Sequence, residues 1–230
     1  MKIDIITAFP KMFVGSFTES IIGRAIKNKI ININFINIRS FSNDKHKKID
    51  DRPFGGGCGM VIKIEPVYYA IKSTGVKKKN KKYKNFYTKP LVIYMTPQGK
   101  ILKHKLILDF SKYKHLVIVC GHYEGIDERI KNYVDEEISI GNYVLTGGEI
   151  PAMVLIDSIT RILPGVIKSD SIKNDSFFNG LCDYPSYTRP VVFKNHKVPD
   201  ILLSGNHKNI NDWRIKKSYN KTIKHKIDSK

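Results

Sequence analysis

The sequence predicts an α/β protein with a mostly parallel sheet, followed by a small, mainly helical domain at the carboxyl end. Three observations lead to this fold class. Short apolar runs alternate with longer segments of helical period, which is the pattern of β–α–β units. A chain of 230 residues with 41% hydrophobic residues is long enough to bury one large core. The residues after about 175 are too few and too basic to build a second large core.

Five short runs rich in isoleucine and valine are predicted to be strands. In chain order they are residues 2–9, 31–41, 90–95, 115–120 and 134–140. Four other segments have the apolar period of helices, and these are residues 16–29, 65–74, 100–110 and 148–163. Pro151 lies near the first turn of the last of these helices, where proline is favoured. The alternation predicts a sheet whose ligands bind at the carboxyl ends of its strands.

The chain divides into three parts. Residues 1–165 contain all the predicted strands. Residues 166–174 follow a Pro-Gly pair and are polar and uncapped, so we predict a flexible interdomain linker there. Residues 175–230 end in a lysine-rich segment of helical pattern, which predicts a basic helical domain.

The positive charge is unevenly distributed. The formal charge is +19, from 40 Lys and Arg against 21 Asp and Glu. Residues 77–84 hold six lysines and residues 194–230 hold ten Lys or Arg against three Asp, whereas residues 121–150 hold seven acids and two bases. A biased genome composition explains the overall excess equally well. The distribution, however, predicts that the basic segments bind a polyanion such as nucleic acid and that the middle carries the chemistry.

Composition disfavours several other classes of protein. No apolar run is long enough to span a bilayer, and the first ten residues lack the apolar stretch of a signal peptide. Cys58, Cys120 and Cys182 lie far apart, and no Cys-x-x-Cys or His-Glu-x-x-His occurs, which disfavours a disulfide scaffold or a structural zinc site. We therefore expect a soluble, cytoplasmic protein with no membrane partner.

Three glycine-bearing loops follow predicted strands and are candidate ligand loops. They are TPQGK (96–100), GHYEGIDER (121–129) and GNYVLTGGE (141–149). Glycine lets backbone amides and carbonyls approach a ligand closely. None of the loops has the Gly-x-Gly-x-x-Gly spacing of a dinucleotide site, and none is a phosphate loop. A single loop of this kind is more often a plain turn than a ligand site. The evidence for a ligand site is that all three loops occur in one sequence.

Together the loops carry a family resemblance. Three further segments accompany them in order, and these are DRPFGGGCGM (51–60), RILPGV (161–166) and DSF (175–177). From residue 1 to about 215 the sequence resembles the bacterial tRNA (guanine-N1)-methyltransferases, which belong to the trefoil-knotted SPOUT methyltransferases. The resemblance implies a homodimer, S-adenosylmethionine as cofactor, and methyl transfer to N1 of guanosine 37 of tRNA, next to the anticodon. It also implies a deep trefoil knot formed by residues 94–99, 121–127 and 138–148.

The resemblance further implies roles for single residues. Asp175 would be the general base at N1, Arg161 the cation near O6, and Glu124 a group on the cofactor side. The base would serve the pocket of the partner subunit, so the active site would lie at the subunit interface. The implied cofactor-binding set is Tyr94, Pro97, Gln98, Gly99, Gly121, Tyr123, Glu124, Ile140, Gly141, Asn142, Tyr143, Val144, Leu145, Gly147 and Gly148.

The residues by themselves leave other roles open. Asp175 or Ser176 could cap a helix that begins at residue 177, and Arg161 could pair with Asp157 one helical turn earlier. Glu124 could be a solvated loop acid, a contact for a sulfonium or a metal ligand.

Magnesium is a candidate second cofactor through the family resemblance alone. The consecutive acids Asp135, Glu136 and Glu137 carry the oxygen ligands that Mg²⁺ prefers. Neighbouring residues of a strand point to opposite faces, so we do not expect these acids to converge, and no metal ligand is predicted.

Aromatic residues interleaved with basic ones near the carboxyl end fit RNA recognition, in which unstacked bases pack on rings and guanidinium planes. The candidate RNA contacts are Ser176, Tyr187, Arg189 and Arg214. We expect Trp213 and Phe193 to be buried instead. In the family this domain clamps the anticodon stem, so residues 175–230 are predicted to bind tRNA.

Two other functions remain open. One is a catalytically silent RNA-binding module that keeps the knot for dimerisation, although Arg161 and Asp175 would then have no use. The other is a knotted methyltransferase with a different tRNA or rRNA target. Against the second stand the segments at 51–60 and 175–177, which are typical of this family and not of the knot in general.

Overall fold

A five-stranded parallel sheet forms the centre of residues Met1–Ile167 in the computed structural model. The strands of this unit are β1 (Lys2–Thr7), β2 (Asn32–Asn37), β3 (Asp50–Asp51), β4 (Val61–Ile62), β5 (Leu91–Ile101), β6 (His115–Cys120) and β7 (Glu136–Ser139). The order across the sheet is β2-β1-β6-β5-β7, and every neighbouring pair is parallel. β3 and β4 form a separate antiparallel pair. The predicted α/β fold with a mostly parallel sheet is confirmed.

The structure describes residues 1–76, 86–168, 171 and 175–228. These fall into two units, Met1–Ile167 and Lys168–Lys230. The lysine-rich segment 77–84 lies outside the described residues, as do residues 169, 170 and 172–174 of the predicted linker. The flexible linker therefore stays a prediction.

Among the described residues of the first unit, five α-helices cover the sheet. They are α1 (Val14–Thr18), α2 (Ser20–Lys27), α3 (Ile64–Ser73), α4 (His104–Phe110) and α5 (Glu149–Ile162). Successive strand residues point to opposite faces of the sheet and enter two cores. Ile93 and Ile118 pack in the core with α5, whereas Val92 and Val119 pack in the core with α3. Because both faces are buried, the strands are continuous apolar runs in the sequence.

One predicted helix is interrupted, and one predicted strand ends earlier than expected. The predicted helix at residues 16–29 is interrupted, because Glu19 is extended and Ser20 has a φ of 53°. The predicted strand at residues 31–41 ends at Asn37, where the side-chain oxygen accepts a hydrogen bond from the Arg39 N–H. This local bond turns the chain into a 3-10 helix, Ile38–Phe41.

The predicted helix at residues 100–110 starts later than expected, at His104. Met95 and Lys100 both pair with Ile138 of β7, and Ile101 pairs with Ser139. Lys100 and Ile101 therefore continue β5, and the residues between Met95 and Lys100 leave the ladder as an excursion.

The second unit contains one long helix, α6 (His207–Asp228), and a short hairpin of β8 (Val192–Phe193) and β9 (His196–Lys197). The Cys182 N–H donates to Thr222 Oγ1 at 2.8 Å, which ties the start of the unit to α6. Trp213 is half-buried. Phe193 is 61% exposed because it lies in the hairpin, so the expectation that it is buried is wrong. Within the described residues of both units, no helix is long and apolar enough to cross a membrane.

Candidate active site

A cleft of about 320 Å³, the loop cleft, lies at the carboxyl ends of β6 and β7 and beside the excursion of β5 between Met95 and Lys100. Ligands of open α/β sheets bind at this edge, and the volume falls in the lower range of small-molecule sites. All three glycine-bearing loops contribute to the lining. Thirteen of the fifteen residues expected to bind cofactor line it, and these are Tyr94, Pro97, Gln98, Gly121, Tyr123, Glu124, Ile140, Gly141, Tyr143, Val144, Leu145, Gly147 and Gly148.

The two remaining residues of that set, Gly99 and Asn142, are not part of the lining. Asn142 is exposed, and Gly99 lies against β7, where a Cβ would stand 2.5 Å from the Ile138 nitrogen. The lining also includes residues that the motif comparison did not select. They are Met95, Thr96, His122, Gly125, Ile126, Glu128, Lys131, Ile138, Ser139, Thr146 and Pro151. Most are chain neighbours of the selected residues, which is the only signal that the sequence offers for them.

The walls of the loop cleft are connected through their backbones. His122 and Gly147 form an isolated antiparallel bridge, and the Gly148 N–H donates to the Gly121 carbonyl at 2.8 Å. A Cβ on Gly148 would lie 2.9 Å from the Cys120 Cα, closer than real contacts allow. The glycine at 148 thus permits the close approach of the two loops.

Tyr94 is buried at the end of the apolar run of β5. Burial raises the pKa of its phenol, since removal from water disfavours the phenolate. The Gly121 backbone lies close by, so that a Cβ there would be 3.1 Å from the phenol oxygen. Tyr94 is consequently a neutral hydroxyl group at the wall of the cleft.

Glu124 is exposed in the loop cleft and held by the glycine-dense segment 51–60. Its N–H donates to the Met60 carbonyl at 3.1 Å. Gly59 packs against its side chain, where a Cβ would lie 2.5 Å from Glu124 Oε1. Only a residue without a side chain leaves Glu124 in this position.

Arg161 and Asp175 belong to different units. Arg161 lies half-buried in the last turn of α5, in the first unit. Asp175 lies half-buried in the second unit, where its carbonyl accepts from the Phe178 N–H at 3.3 Å. Residues 176–179 form turns and Phe177 has a φ of 71°, so no helix begins at residue 177. The alternative role of Asp175 or Ser176 as the cap of such a helix is therefore wrong.

A second cleft, the tail cleft, of about 440 Å³ lies within the second unit. Three of the four candidate RNA contacts line it, namely Tyr187, Arg189 and Arg214. The guanidinium of Arg214 stands 4.8 Å from the centroid of the Tyr184 ring, which is a cation–π distance. The fourth candidate, Ser176, is not in the lining, and its hydroxyl oxygen accepts from the Asp183 N–H at 2.9 Å.

The three consecutive acids before and in β7 pair with three different lysines. Asp135 contacts Lys89 at 2.6 Å, Glu136 contacts Lys100 at 2.8 Å, and Glu137 contacts Lys131 at 3.4 Å. In the part of the chain that the structure describes, no group of three or more His, Cys, Asp or Glu side chains is arranged to hold a metal ion. These acids thus act as ion-pair partners.

Known proteins resemble the chain over nearly its full length. Residues 1–229 match the family described as tRNA (Guanine-1)-methyltransferase TrmD. A protein of Endomicrobium trichonymphae is 65% identical over 99% of this chain and 98% of its own length, and one of Ruminiclostridium cellulolyticum is 52% identical over 96% and 93%. A protein of Buchnera aphidicola subsp. Schizaphis graminum is 54% identical over 95% and 80%. All three are named tRNA (guanine-N(1)-)-methyltransferase. The chain belongs to the tRNA (guanine-1)-methyltransferase family.

Proposed function

We propose that the chain transfers a methyl group from S-adenosylmethionine to N1 of guanosine 37 in tRNA. The observation that carries the proposal is the convergence of the three family loops on one cleft. The names of the relatives support N1 of a tRNA guanine as the acceptor. The choice of position 37 follows the resemblance of the segments at 51–60 and 175–177.

The loop cleft offers groups that suit S-adenosylmethionine. The glycines at 121, 147 and 148 place no side chain in the wall of the cleft, which leaves room for a nucleoside, and Val144 and Leu145 add apolar surface. Glu124 places a carboxylate in the same cleft, where it favours a cationic ligand. When bound, this cofactor supplies a methyl group that its sulfonium has already activated.

The remaining chemistry needs one proton acceptor and one cation. Methylation of guanine N1 removes the N1 proton and moves negative charge onto O6. In the proposal Asp175 accepts the proton, and Arg161 stabilises the charge at O6. Glu124 acts on the cofactor side. The proposal assigns no step to Mg²⁺, which stays a candidate second cofactor through the family resemblance alone.

The proposal includes a homodimer with a trefoil knot, in which Asp175 serves the cleft of the partner subunit. An apolar surface supports dimerisation. Met12 is exposed just before α1, Val14 is exposed at the start of α1, and Ile150 and Val154 are exposed on α5. The Ser16 hydroxyl lies 3.4 Å from the Met153 sulfur, so the two groups are neighbours. Exposed apolar patches of this kind mark interfaces between chains.

We further propose that residues 175–230 bind tRNA. The ten basic residues of 194–230 supply phosphate contacts, and the tail cleft combines tyrosine rings with arginines. The division into residues 1–165, a linker at 166–174 and this domain remains part of the proposal. The cytoplasmic location stays a prediction.

The test of the proposed function is methyl transfer from labelled S-adenosylmethionine to two tRNAs. One carries guanosine at positions 36 and 37, and the other carries adenosine at 37. We expect label in the first and none in the second. Label in both would indicate another knotted methyltransferase with a different target, and label in neither despite tRNA binding would indicate a silent RNA-binding module.

A further inference from the structure

A buried carboxylate that the proposed chemistry does not use lies next to the loop cleft. Glu149 begins α5 and is fully buried. The Thr7 hydroxyl donates to Glu149 Oε1 at 2.7 Å, and the Thr7 oxygen accepts from the Phe9 N–H at 2.9 Å. The one proton of the Thr7 hydroxyl is therefore committed to Glu149. This bond holds the first oxygen of the carboxylate in place.

The second oxygen of Glu149 faces a histidine. Neither Glu149 Oε2 nor His122 Nδ1 has a hydrogen-bond partner within the described residues, although both atoms are buried. They lie 3.7 Å apart. Each unpaired buried atom costs free energy, and one hydrogen bond from Nδ1–H to Oε2 removes both costs. It needs a shortening of this distance to about 2.8 Å, the usual length for a carboxylate acceptor.

The position of His122 connects this pair to the loop cleft. His122 lines the cleft, and its ring packs against Phe9 and Tyr123 at centroid distances of 4.5 and 5.0 Å. A Cβ on Gly147 would overlap both Glu149 Oε2 and His122 Nδ1. The glycine at 147 thus keeps open the space in which the two side chains meet.

We propose that Glu149 is a positioning residue for cofactor binding and that it acts through His122. Its Oε2 accepts a hydrogen bond from His122 Nδ1, which fixes the tautomer and the orientation of a ring in the wall of the loop cleft. Thr7 holds the other oxygen, so the chain Thr7–Glu149–His122 ties β1 and α5 to the loop at 121–129. This role rests on the proposed function, because the ligand is taken to be S-adenosylmethionine.

The test compares Glu149→Gln, His122→Phe and the double variant with the wild-type protein. Gln keeps the length of the side chain and the bond from Thr7, but its amide nitrogen donates where Oε2 accepted. His122→Phe keeps the ring packing and removes the donor. Glu65→Gln is the matched control, since Glu65 is an exposed acid in the first turn of α3.

Two measurements decide the outcome. Nitrogen-15 NMR of the His122 ring should show protonated Nδ1 in the wild type and protonated Nε2 in Glu149→Gln. Calorimetry should show that the Kd for S-adenosylmethionine rises about tenfold in each single variant, the loss expected for a charged hydrogen bond. The double variant should bind no more weakly than the weaker single variant, because both changes remove one interaction. Glu65→Gln should bind like the wild type.

An unchanged tautomer, a Kd within twofold of the wild type, or additive losses in the double variant would overturn the role of Glu149. If Glu149→Gln does not fold, the wild-type tautomer and the Kd of His122→Phe decide the question. A failure of the proposed function looks different. In that case the wild-type protein would not bind S-adenosylmethionine, while the NMR measurement would still report on the Glu149–His122 bond.

Discussion

Gly59 and Gly75 show how the neighbours of a single residue decide its role. The two glycines have nearly the same backbone conformation, with φ values of +80° and +84°. A Cβ on Gly59 would lie 2.5 Å from Glu124 Cγ and Oε1, whereas nothing lies within 4 Å of a Cβ on Gly75. Alanine at either position is strained by the left-handed backbone, but only alanine at 59 displaces Glu124. A comparison of the two substitutions therefore isolates the effect of displacing Glu124.

We predict that Gly59→Ala weakens the enzyme at the cofactor step and that Gly75→Ala does not. Both substitutions should cost about 1 kcal/mol of unfolding free energy, because alanine disfavours positive φ. Only Gly59→Ala moves Glu124, so kcat/KM for S-adenosylmethionine should fall about tenfold, the order of effect of a small misplacement. Steady-state kinetics with tRNA in excess measures this. Equal kinetics in the two variants would contradict the placement of Glu124.

Asp4 provides a prediction for pH. The carboxylate is buried in β1, where burial alone would raise its pKa. Hydrogen bonds from His115 at 2.7 Å, Lys2 and Asn34 outweigh burial and hold the pKa below 3.8. Ionised Asp4 therefore stabilises the fold fully at a pH above 3.8, and this contribution disappears as the pH falls below 3.8 through the lower folded-state pKa.

Asp4→Asn should lower the unfolding free energy by about 2 kcal/mol at pH 7, the range for a charged hydrogen-bond network. The difference between Asp4→Asn and the wild type should shrink on acidification below pH 3.8. Urea unfolding at pH 7 and pH 3 measures both values. A difference that is the same at the two pH values would show that the charge of Asp4 contributes nothing.

At the scale of elements, both ends of β6 could be predicted, whereas the carboxyl end of β5 could not. The runs at 90–95 and 115–120 are apolar on both faces of the sheet, so their pattern admits one interpretation. The far end of β5 depends instead on pairing of Lys100 and Ile101 with β7, which lies 36 or more residues away in the chain. No local pattern reports such a pairing, and the lysine-rich sequence after Gly99 favours a helix.

The substitution Gly99→Ala tests whether β5 leaves the ladder between Met95 and Lys100. A Cβ at this position would lie 2.5 Å from backbone atoms of Glu137 and Ile138, so we expect Gly99→Ala to force β5 and β7 apart. The cost should be about 2 kcal/mol of unfolding free energy, typical of overpacking. Gly15→Ala in α1 is the matched control, because nothing lies within 4 Å of its Cβ, and alanine there should stabilise by up to about 1 kcal/mol. Equal stabilities in urea would contradict the register break.

The candidate site was predictable to the extent that it lies on glycine-bearing loops. The family motifs predicted thirteen residues of the lining of the loop cleft, because the three glycine-bearing loops that carry the motifs meet at one edge of the sheet. The contact between Thr7 and Glu149 was not predictable, since it joins residues 142 positions apart through the packing of α5 on β1. His122 was missed for the same reason. Its partner is defined by three-dimensional packing and not by spacing.

At the scale of the whole molecule, the two proposed roles, cofactor binding and tRNA binding, lie in different parts of the chain. The acidic stretch 121–150 builds the loop cleft, and the basic residues 194–230 lie in the second unit. A tRNA that binds to the second unit must also place its guanosine in a loop cleft of a first unit. In the proposed homodimer each Asp175 would serve the loop cleft of the partner subunit, so that tRNA bound to the second unit of one chain would reach the loop cleft of the other.

The most direct measurement is subunit complementation. Asp175→Asn and Glu124→Gln, carried on chains with different tags, are each expected to be inactive as homodimers. Co-expression and purification through both tags isolate the heterodimer. It should methylate guanosine 37 at about half the wild-type rate, because one of its two sites combines an intact cleft with an intact Asp175. A heterodimer as inactive as the two homodimers would contradict an active site shared between subunits.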